Sequence, residues 1–382
     1  MATGLPSIIV AFKEKGITAI KRSMRGIAVL ILKENKSNVA KLAGSPYTIY
    51  TTTDVPEDLS DFNKNQIELC LMGYQTAPKK IFVYVIEKPA AAISEAEGAQ
   101  QEASTAANYK PVLLDLENKR WDYLVIPEIE DNETTTIATW IKGMRTTKDK
   151  MVKAVLPHEP ADAEGVVNFT NDLIKTKAAT FTTAEYCSRI AGIITGTPMT
   201  IACTFAPLPE VIECDKWTKE EMDNKVTQGE LFFFNDGEKI KIARGVNSFV
   251  TTIQDKGESF QKIKIVDAMD MIHDDIKKTA EDSYLGKYAN SYSNKCLLIS
   301  AIQGYFDQLE LDGILDPGKN SVEIDVEQQK VYLESTGQFT KDELAAMDEL
   351  EIKKANTKDK VFLKASIKIL DAIEEIKLNI TI

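Results

Sequence analysis

The sequence predicts an α+β multidomain chain, with a small N-terminal α+β domain, a middle α/β domain and a C-terminal α+β domain carrying terminal arms. Three observations lead there. A chain of 382 residues is too long for one ordinary core, since a domain takes roughly 150 residues. With 43% hydrophobic and 27% charged residues, it has the composition of a folded globular protein and not of a disordered one. Short β-branched runs also alternate with helical stretches, and the composition breaks sharply between Pro89 and Ala107.

The first block, Gly26–Glu87, reads as a strand (Ile27–Leu32), a second strand (Tyr47–Thr53), a helix (Leu59–Met72) and a third strand (Ile81–Ile86), with Pro56 and Gly73 punctuating the helix. Between Pro89 and Ala107 the chain turns to Ala, Glu, Gln and Ser. Ser94 and Glu97 are spaced as a capping box, and the stretch, helix or linker, marks a boundary. From Trp121 the pattern is α/β. It has a buried-strand run (Asp122–Ile129), a helix (Thr134–Lys148) whose basic end suits the helix dipole, a strand (Met151–Leu156) and an apolar run (Val166–Phe169). Thr182 and Glu185 then cap a helix over Ala184–Ile194.

Leu231–Phe234 and Lys239–Ala243 flank Asn235-Asp236-Gly237, a hairpin signal. A strand at Val246–Ile253 follows, then apolar alternation at Ile263 and Ile265, and two long helices over Ala268–Tyr284 and Ser293–Leu311. Ser321–Glu327 and Lys330–Glu334 read as a second hairpin, and Thr340 with Glu343 caps a short helix ending near Lys354. No internal repeat of fixed period occurs.

Charge and chemistry narrow the function. Fifty-eight acidic against 46 basic residues give a net charge of −12, and no Lys/Arg run offers a basic face, so nucleic acid is not an expected partner. The apolar run Ile27–Leu32 is far short of the ~18 residues a membrane span needs. The run Ile8–Phe12 has no basic region before it, so neither a secretory signal nor direct membrane binding is expected. Cys70, Cys187, Cys203, Cys214 and Cys296 form no CxxC pair, which leaves no zinc site or disulfide framework to expect.

Only His158 and His273 are available as general bases, and neither lies near a GxSxG or HExxH pattern. Gly313-Ile-Leu-Asp-Pro-Gly318-Lys319 fits the GxxxxGK of a phosphate-binding loop. Asn320 follows it, however, where a Mg²⁺-ligating hydroxyl is needed, and the run closes a helix and opens a strand, the reverse of the required order. Gly192-x-x-x-Gly196 reads as a helix end, and the acidic runs Asp267–Asp275 and Asp348–Glu351 read as solvated helix faces. No catalytic set, cofactor site or metal site is therefore expected.

Both ends of the chain are apolar. Ile8, Val10 and Phe12 alternate as one strand face, followed by Ile17 and Ile20. At the back, Val361, Leu363, Ala365, Ile367 and Ile369 alternate, and after an interruption at Asp371–Glu375 the pattern resumes with Ile376, Leu378, Ile380 and Ile382. Such strands either tuck into the sheet of their own domain or add to an exposed sheet edge of a neighbouring copy. Head-to-tail exchange of the second kind builds rings or helical lattices.

Several stretches in order along the chain carry a resemblance. They are Gly4-Leu-Pro-Ser-Ile-Ile-Val-Ala-Phe12 leading through Ile17–Ile20 into Arg25-Gly-Ile-Ala-Val-Leu-Ile31, then Asp122-Tyr-Leu-Val-Ile-Pro-Glu128, then Gly245-Val-Asn-Ser-Phe-Val-Thr-Thr252 with Lys264-Ile-Val-Asp-Ala-Met-Asp270, and last Tyr284-Leu-Gly-Lys-Tyr-Ala-Asn-Ser291 with Tyr305-Phe306. In this arrangement the chain resembles the tail sheath proteins of contractile phage tails and of phage-tail-like bacteriocins from Gram-positive bacteria.

The resemblance implies a middle domain of subtilisin-like topology without proteolysis. It implies stacked hexameric rings around an inner tail tube protein, with baseplate and tail terminator proteins as further partners. It also implies assembly in a bacterial host cytoplasm and a place in a released phage or phage-tail-like particle. Arms that exchange strands between subunits would include Ile8, Val10, Phe12, Ile17, Ile376, Leu378, Ile380 and Ile382, and Lys277, Lys278, Lys287 and Lys295 are candidate tube contacts. The expected organisation is an N-terminal arm 1–25, a small α+β domain 26–89, an α/β domain 90–244, a C-terminal α+β core 245–359 and a C-terminal arm 360–382. The competing expectation is a hydrolase or nucleotide-dependent enzyme built on the α/β domain.

Overall fold

The run Ile27–Leu32 becomes β1 (Ile27–Glu34), every residue of which is buried. The computed structural model describes residues 19–42, 44–88 and 108–381. The expected arm residues Ile8, Val10, Phe12, Ile17 and Ile382, and the Ala-rich stretch with its capping box, lie outside the described residues.

After β1 come a one-turn helix α1 (Lys36–Val39), β2 (Tyr47–Ile49), α2 (Asp61–Leu71) and β3 (Lys80–Glu87). Then follow α3 (Lys110–Leu116), β4 (Tyr123–Val125), α4 (Asp131–Thr146), β5 (Lys153–Pro157) and β6 (Val166–Phe169). Next are β7 (Ile174–Thr176), β8 (Thr180–Phe181), α5 (Thr183–Thr195), β9 (Val211–Cys214), α6 (Lys219–Thr227) and β10 (Glu230–Leu231). The predicted hairpin about Asn235-Asp236-Gly237 is present as β11 (Phe233–Asn235) and β12 (Ile240–Ile242).

Among the described residues seven strands form one sheet in the order β10-β6-β5-β4-β1-β3-β2, parallel throughout except for β2 at its edge. Both faces are covered, so β1 reads as unbroken hydrophobicity instead of alternation. Its even residues Ala28, Leu30 and Leu32 enter one core with Ile67, Cys70, Tyr186 and Ile190, from α2 and α5. Its odd residues Ile27, Val29 and Ile31 enter the opposite core with Leu116, Ile137, Ile141 and Met144, from α3 and α4.

This sheet corrects the expected boundary at 89/90. β1 pairs with β3 over eight residues, Ile27↔Lys80 to Glu34↔Glu87, and on its other side with β4. Segment 26–89 is therefore part of the same sheet as the α/β segment and not a separate small domain. The composition break marks a connection between strands that share one core.

Residues 23–274 and 369–381 form one compact unit, and 275–368 with 19–22 form another. The expected domain start at 245 thus moves to about 275, within α7 (Ile263–Ser283). Ile263 and Ile265 do not alternate on a strand; they lie in the first turns of α7, buried with Val266. Val246–Ile253 forms no named strand either, because its backbone is taken by other groups. Ser248 N donates to Val166 O at 2.8 Å, and Val250 N donates to the Asp162 carboxylate at 2.8 Å.

In the smaller unit α8 (Tyr292–Leu311) leads to β13 (Ser321–Ile324). No second hairpin follows. Asp325 accepts from Gln328 N at 3.0 Å and starts α9 (Val326–Ser335), so the Lys330–Glu334 run is helical. Helices α10 (Lys341–Ala346) and α11 (Glu349–Lys354) each open on a capping box and pack Leu344 and Ile352 with Leu333. The strand partner of β13 is β14 (Leu363–Ser366), antiparallel from Ser321↔Ser366 to Ile324↔Leu363. The first half of the expected C-terminal arm is thus a strand of the chain's own sheet.

The Gly192-x-x-x-Gly196 run is the end of α5, with Gly196 as its C-cap, and at Gly192 in the last turn a Cβ would lie 2.2 Å from the Cys70 carbonyl oxygen of α2. The contact is with backbone and cannot yield by rotation of a side chain. Gly192→Ala is expected to cost about 1–3 kcal/mol by overpacking, read as a lower midpoint in urea unfolding. Gly143→Ala, where a Cβ meets nothing within 4 Å, is the control expected to be neutral or slightly stabilising.

Candidate functional site

The strongest electrostatic feature is a cluster where β1, β4 and β5 begin. Asp267, Asp270 and Asp274 are spaced three and four apart and share one face of α7. Asp270 accepts both terminal nitrogens of Arg145 at 2.9 Å and Lys153 Nζ at 2.5 Å. Asp267 accepts Tyr123 Oη at 2.9 Å and lies 3.0 Å from Lys153 Nζ. Arg25 reaches Asp122 at 2.7 Å and Asp274 at 3.0 Å, and Asp122 in turn accepts Ile27 N at 2.9 Å.

The Lys153 and Asp270 side chains are 2% and 3% exposed, so this is a buried ion network and not the solvated acidic face expected for Asp267–Asp275. Burial disfavours the charge on Lys153, yet Asp270 and Asp267 outweigh it and hold the ammonium above its ordinary pKa. Burial likewise works against the Asp270 carboxylate, and Lys153 with Arg145 overcomes it, placing the group below the usual range. Asp267 goes the other way, raised chiefly by burial. With every charge engaged, the cluster fixes the start of α7 against the sheet. Its signals in the sequence are a lysine inside an apolar strand run and the three aspartates on one helical face.

The two histidines are each held in contacts of their own. His158, at positive φ (45°) after β5, meets both Asp172 (3.0 Å) and Thr183 Oγ1 (3.1 Å) through the same Nε2. A triad needs the carboxylate and the nucleophile on opposite ring nitrogens, and Thr183 donates its hydroxyl proton to Asn171 O at 2.7 Å. His273 lies between Asp274 and Asp149, both at 3.0 Å, and the Asp274 hydrogen bond raises its pKa above 6.5.

The Gly313–Lys319 turn follows α8 and opens β13. Gly318 N donates to the Glu310 carboxylate at 3.1 Å, and Asn320 Nδ2 donates to its other oxygen at 2.6 Å. A carboxylate thus occupies the place a phosphate would take. Burial raises the Cys70 and Cys203 thiols to about 12, far from reactive thiolates. Among the described residues no group of three or more His, Cys, Asp or Glu could hold a metal ion, and no helix is long and apolar enough to cross a membrane.

The surfaces that remain are those of the C-terminal segment and the lysines. In the unit formed by 23–274 and 369–381, Glu374 accepts Thr204 Oγ1 at 2.6 Å and Arg244 Nε at 2.8 Å. Lys262 pairs with Asp371, and Lys264 Nζ donates to Leu370 O. Beyond this anchorage Ile376, Leu378 and Ile380 are 81%, 75% and 77% exposed, and 371–381 is assigned to no strand. Sequence reasoning found the alternation and missed the anchor, reading Asp371–Glu375 as an interruption or a bend between two strands.

Lys295 leaves the set of candidate tube contacts. It is 3% exposed in α8, with Nζ on Gln329 Oε1 (3.3 Å) and Thr357 Oγ1 (3.1 Å). Lys287 is exposed and donates to Asp282 O, Lys278 is exposed and Lys277 is half-buried.

Comparison with known proteins gives these features a context. The phage tail sheath protein central domain matches residues 102–248, and the phage tail sheath C-terminal domain matches 255–382. The tail sheath protein of Clostridium phage phiCD119 is 37% identical over 377 residues, covering 99% of both chains. Among solved structures, the sheath tail protein from Desulfitobacterium hafniense superposes with a TM-score of 0.65 at 17% identity, over 84% of this chain and 94% of that one. The anti-feeding prophage helical sheath in its contracted state gives 0.68 at 14% identity, over 100% and 99%.

Proposed function

Because the chain belongs to the phage tail sheath family and is a structural subunit of a contractile tail sheath, we propose that it polymerises around an inner tail tube and contracts to drive that tube through a bacterial envelope. One observation carries the reading. Ile376, Leu378 and Ile380 alternate on an exposed segment outside any strand, while among the described residues β13 and β14 form a sheet of two strands. Two strands alone are marginal, and a third or fourth from a neighbour would complete the sheet. Ile8, Val10, Phe12 and Ile17 are proposed as the second donated strand, and Ile382 as the end of the first.

Assembly would follow the family's plan of stacked hexameric rings, begun on a baseplate, ended by a terminator protein and completed in the host cytoplasm before release of the particle. The subtilisin-like topology implied for the α/β segment belongs to the same proposal, with no proteolysis attached to it. The extended lattice would be metastable, and closer packing after triggering would supply the work through new contacts between subunits, without a cofactor or a hydrolysed nucleotide. Neither the two histidines nor the Gly313–Lys319 turn has a role in it, and the similarities found lend the hydrolase or nucleotide-dependent alternative no support.

Negative-stain microscopy tests the polymer directly. Ribbed tubes of uniform width, coating the tube protein when the two are co-expressed, are expected. A compact monomer at every concentration would contradict the reading.

For the tube contact, Lys277 and Lys278 are the proposed residues, with Lys287 nearby. Basic side chains facing an acidic tube would bind through many weak, hydrated contacts that break at small cost as the sheath moves. Reversing Lys277 and Lys278 to Glu is expected to abolish tube-bound extended sheath while empty contracted sheath still forms. Unchanged tube coating would remove both residues from the interface.

A further inference from the structure

Resting on the tail docking proposed above, we infer that Glu374, with Asp371, is a clasp that sets the free length of the C-terminal tail and so its reach to the neighbouring subunit. Glu374 is a carboxylate with a side chain only 10% exposed, on a segment of no regular structure. Both of its oxygens are used, one by Thr204 Oγ1 at 2.6 Å and the other by Arg244 Nε at 2.8 Å. Thr204 Oγ1 is itself fixed by Gly245 N at 3.0 Å, which aims its hydroxyl. Asp371 on Lys262 and Leu370 O on Lys264 hold the chain at two earlier points. These contacts are polar and charged, unlike the apolar residues that follow, so the segment splits into a fixed root and a free, sticky end.

The consequence is geometric. With the clasp closed, Ile376 lies two residues beyond Glu374, and Glu375 between them is itself 3.5 Å from Arg244 Nη2. With it open, the chain is next held at Leu370, whose carbonyl accepts Lys264 Nζ, and residues 371–375 become free. Five extended residues span about 17 Å at roughly 3.3 Å each. The local concentration of the tail at its docking site falls roughly as the −3/2 power of tether length, so opening the clasp lowers it on the order of tenfold. A closed clasp therefore favours assembly from dilute subunits. An opened one lets neighbours move apart without the donated strand letting go.

The test uses the full chain with Lys262→Gln and Glu374→Gln combined. The amide that replaces the Glu374 carboxylate keeps the side chain's size and removes the charge that pairs with Arg244. A spin label at Lys377→Cys, in a Cys296→Ser background, reports tail motion in the monomer. The other four cysteines are buried. The double variant is expected to loosen the label several-fold and to raise the subunit concentration needed for polymerisation on the order of tenfold, with normal tubes above that threshold. Deletion of 376–382 would not be rescued at any concentration. An unchanged label, or a looser label with an unchanged threshold, overturns the clasp while leaving the docking reading intact. Normal polymerisation of the deletion instead removes the docking itself, and the tether role with it.

Discussion

Deletion of residues 376–382 is expected to leave a folded, soluble subunit that forms no sheath at any attainable concentration. The deleted segment contributes exposed side chains at Ile376, Leu378 and Ile380 and none to the described cores, so the thermal midpoint should stay within a degree or two of the intact chain. The loss is collective, because in a head-to-tail lattice every subunit donates and receives. Deleting 1–20 is expected to act in the same way. Unfolding of either truncated monomer would mean that the segment is a core strand of its own subunit, and the exchange reading would fail.

Asp270→Ala should give the largest stability loss of any single substitution considered for this chain, about 3–5 kcal/mol, because it leaves Lys153 buried and Arg145 without its paired carboxylate. The pH dependence follows from the direction of the shift. Asp270 titrates below its ordinary 3.8 when folded, so its contribution is complete above that value and is lost as pH falls through the lower folded pKa. Urea midpoints measured from pH 7 downward should show the intact chain losing stability below about 4, with the variant lacking that part of the fall. Equal midpoints at pH 7 would show that the network contributes no net stability.

How much of this was legible in the sequence depended on how local each signal was. Strands β1, β4, β5 and β6 announced themselves as short apolar runs, because a parallel strand covered on both faces has no polar side to show. The capping boxes at Thr182/Glu185 and Thr340/Glu343 were readable for the same reason, since donor and acceptor lie three residues apart. What failed was non-local. β13 pairs with β14, some forty residues on, whereas the hairpin rule favours the nearest apolar run, and Asp325 had already turned that run into α9. The domain boundary was misplaced because β1 is bonded on both sides, to β3 and to β4 across the compositional break.

The assembly surface was half legible. Alternation exposed Ile376, Leu378 and Ile380, but the anchoring role of Glu374 depends on Thr204 and Arg244, which lie 170 and 130 residues away. Lys295 illustrates the opposite error. A lysine in a helical segment reads as surface, yet here it is buried on Gln329 and Thr357, and burial holds its pKa below the ordinary value.

The most direct measurement of the central claim is a cryo-EM reconstruction of the assembled polymer at a resolution that traces the backbone of the C-terminal tail. The account predicts that the strand carrying Ile376, Leu378 and Ile380 is hydrogen-bonded to the β13–β14 sheet of a neighbouring subunit, with Glu374 still seated on Thr204 and Arg244 of its own. A tail paired within its own subunit, or a lattice held together with the tail unpaired, would contradict it.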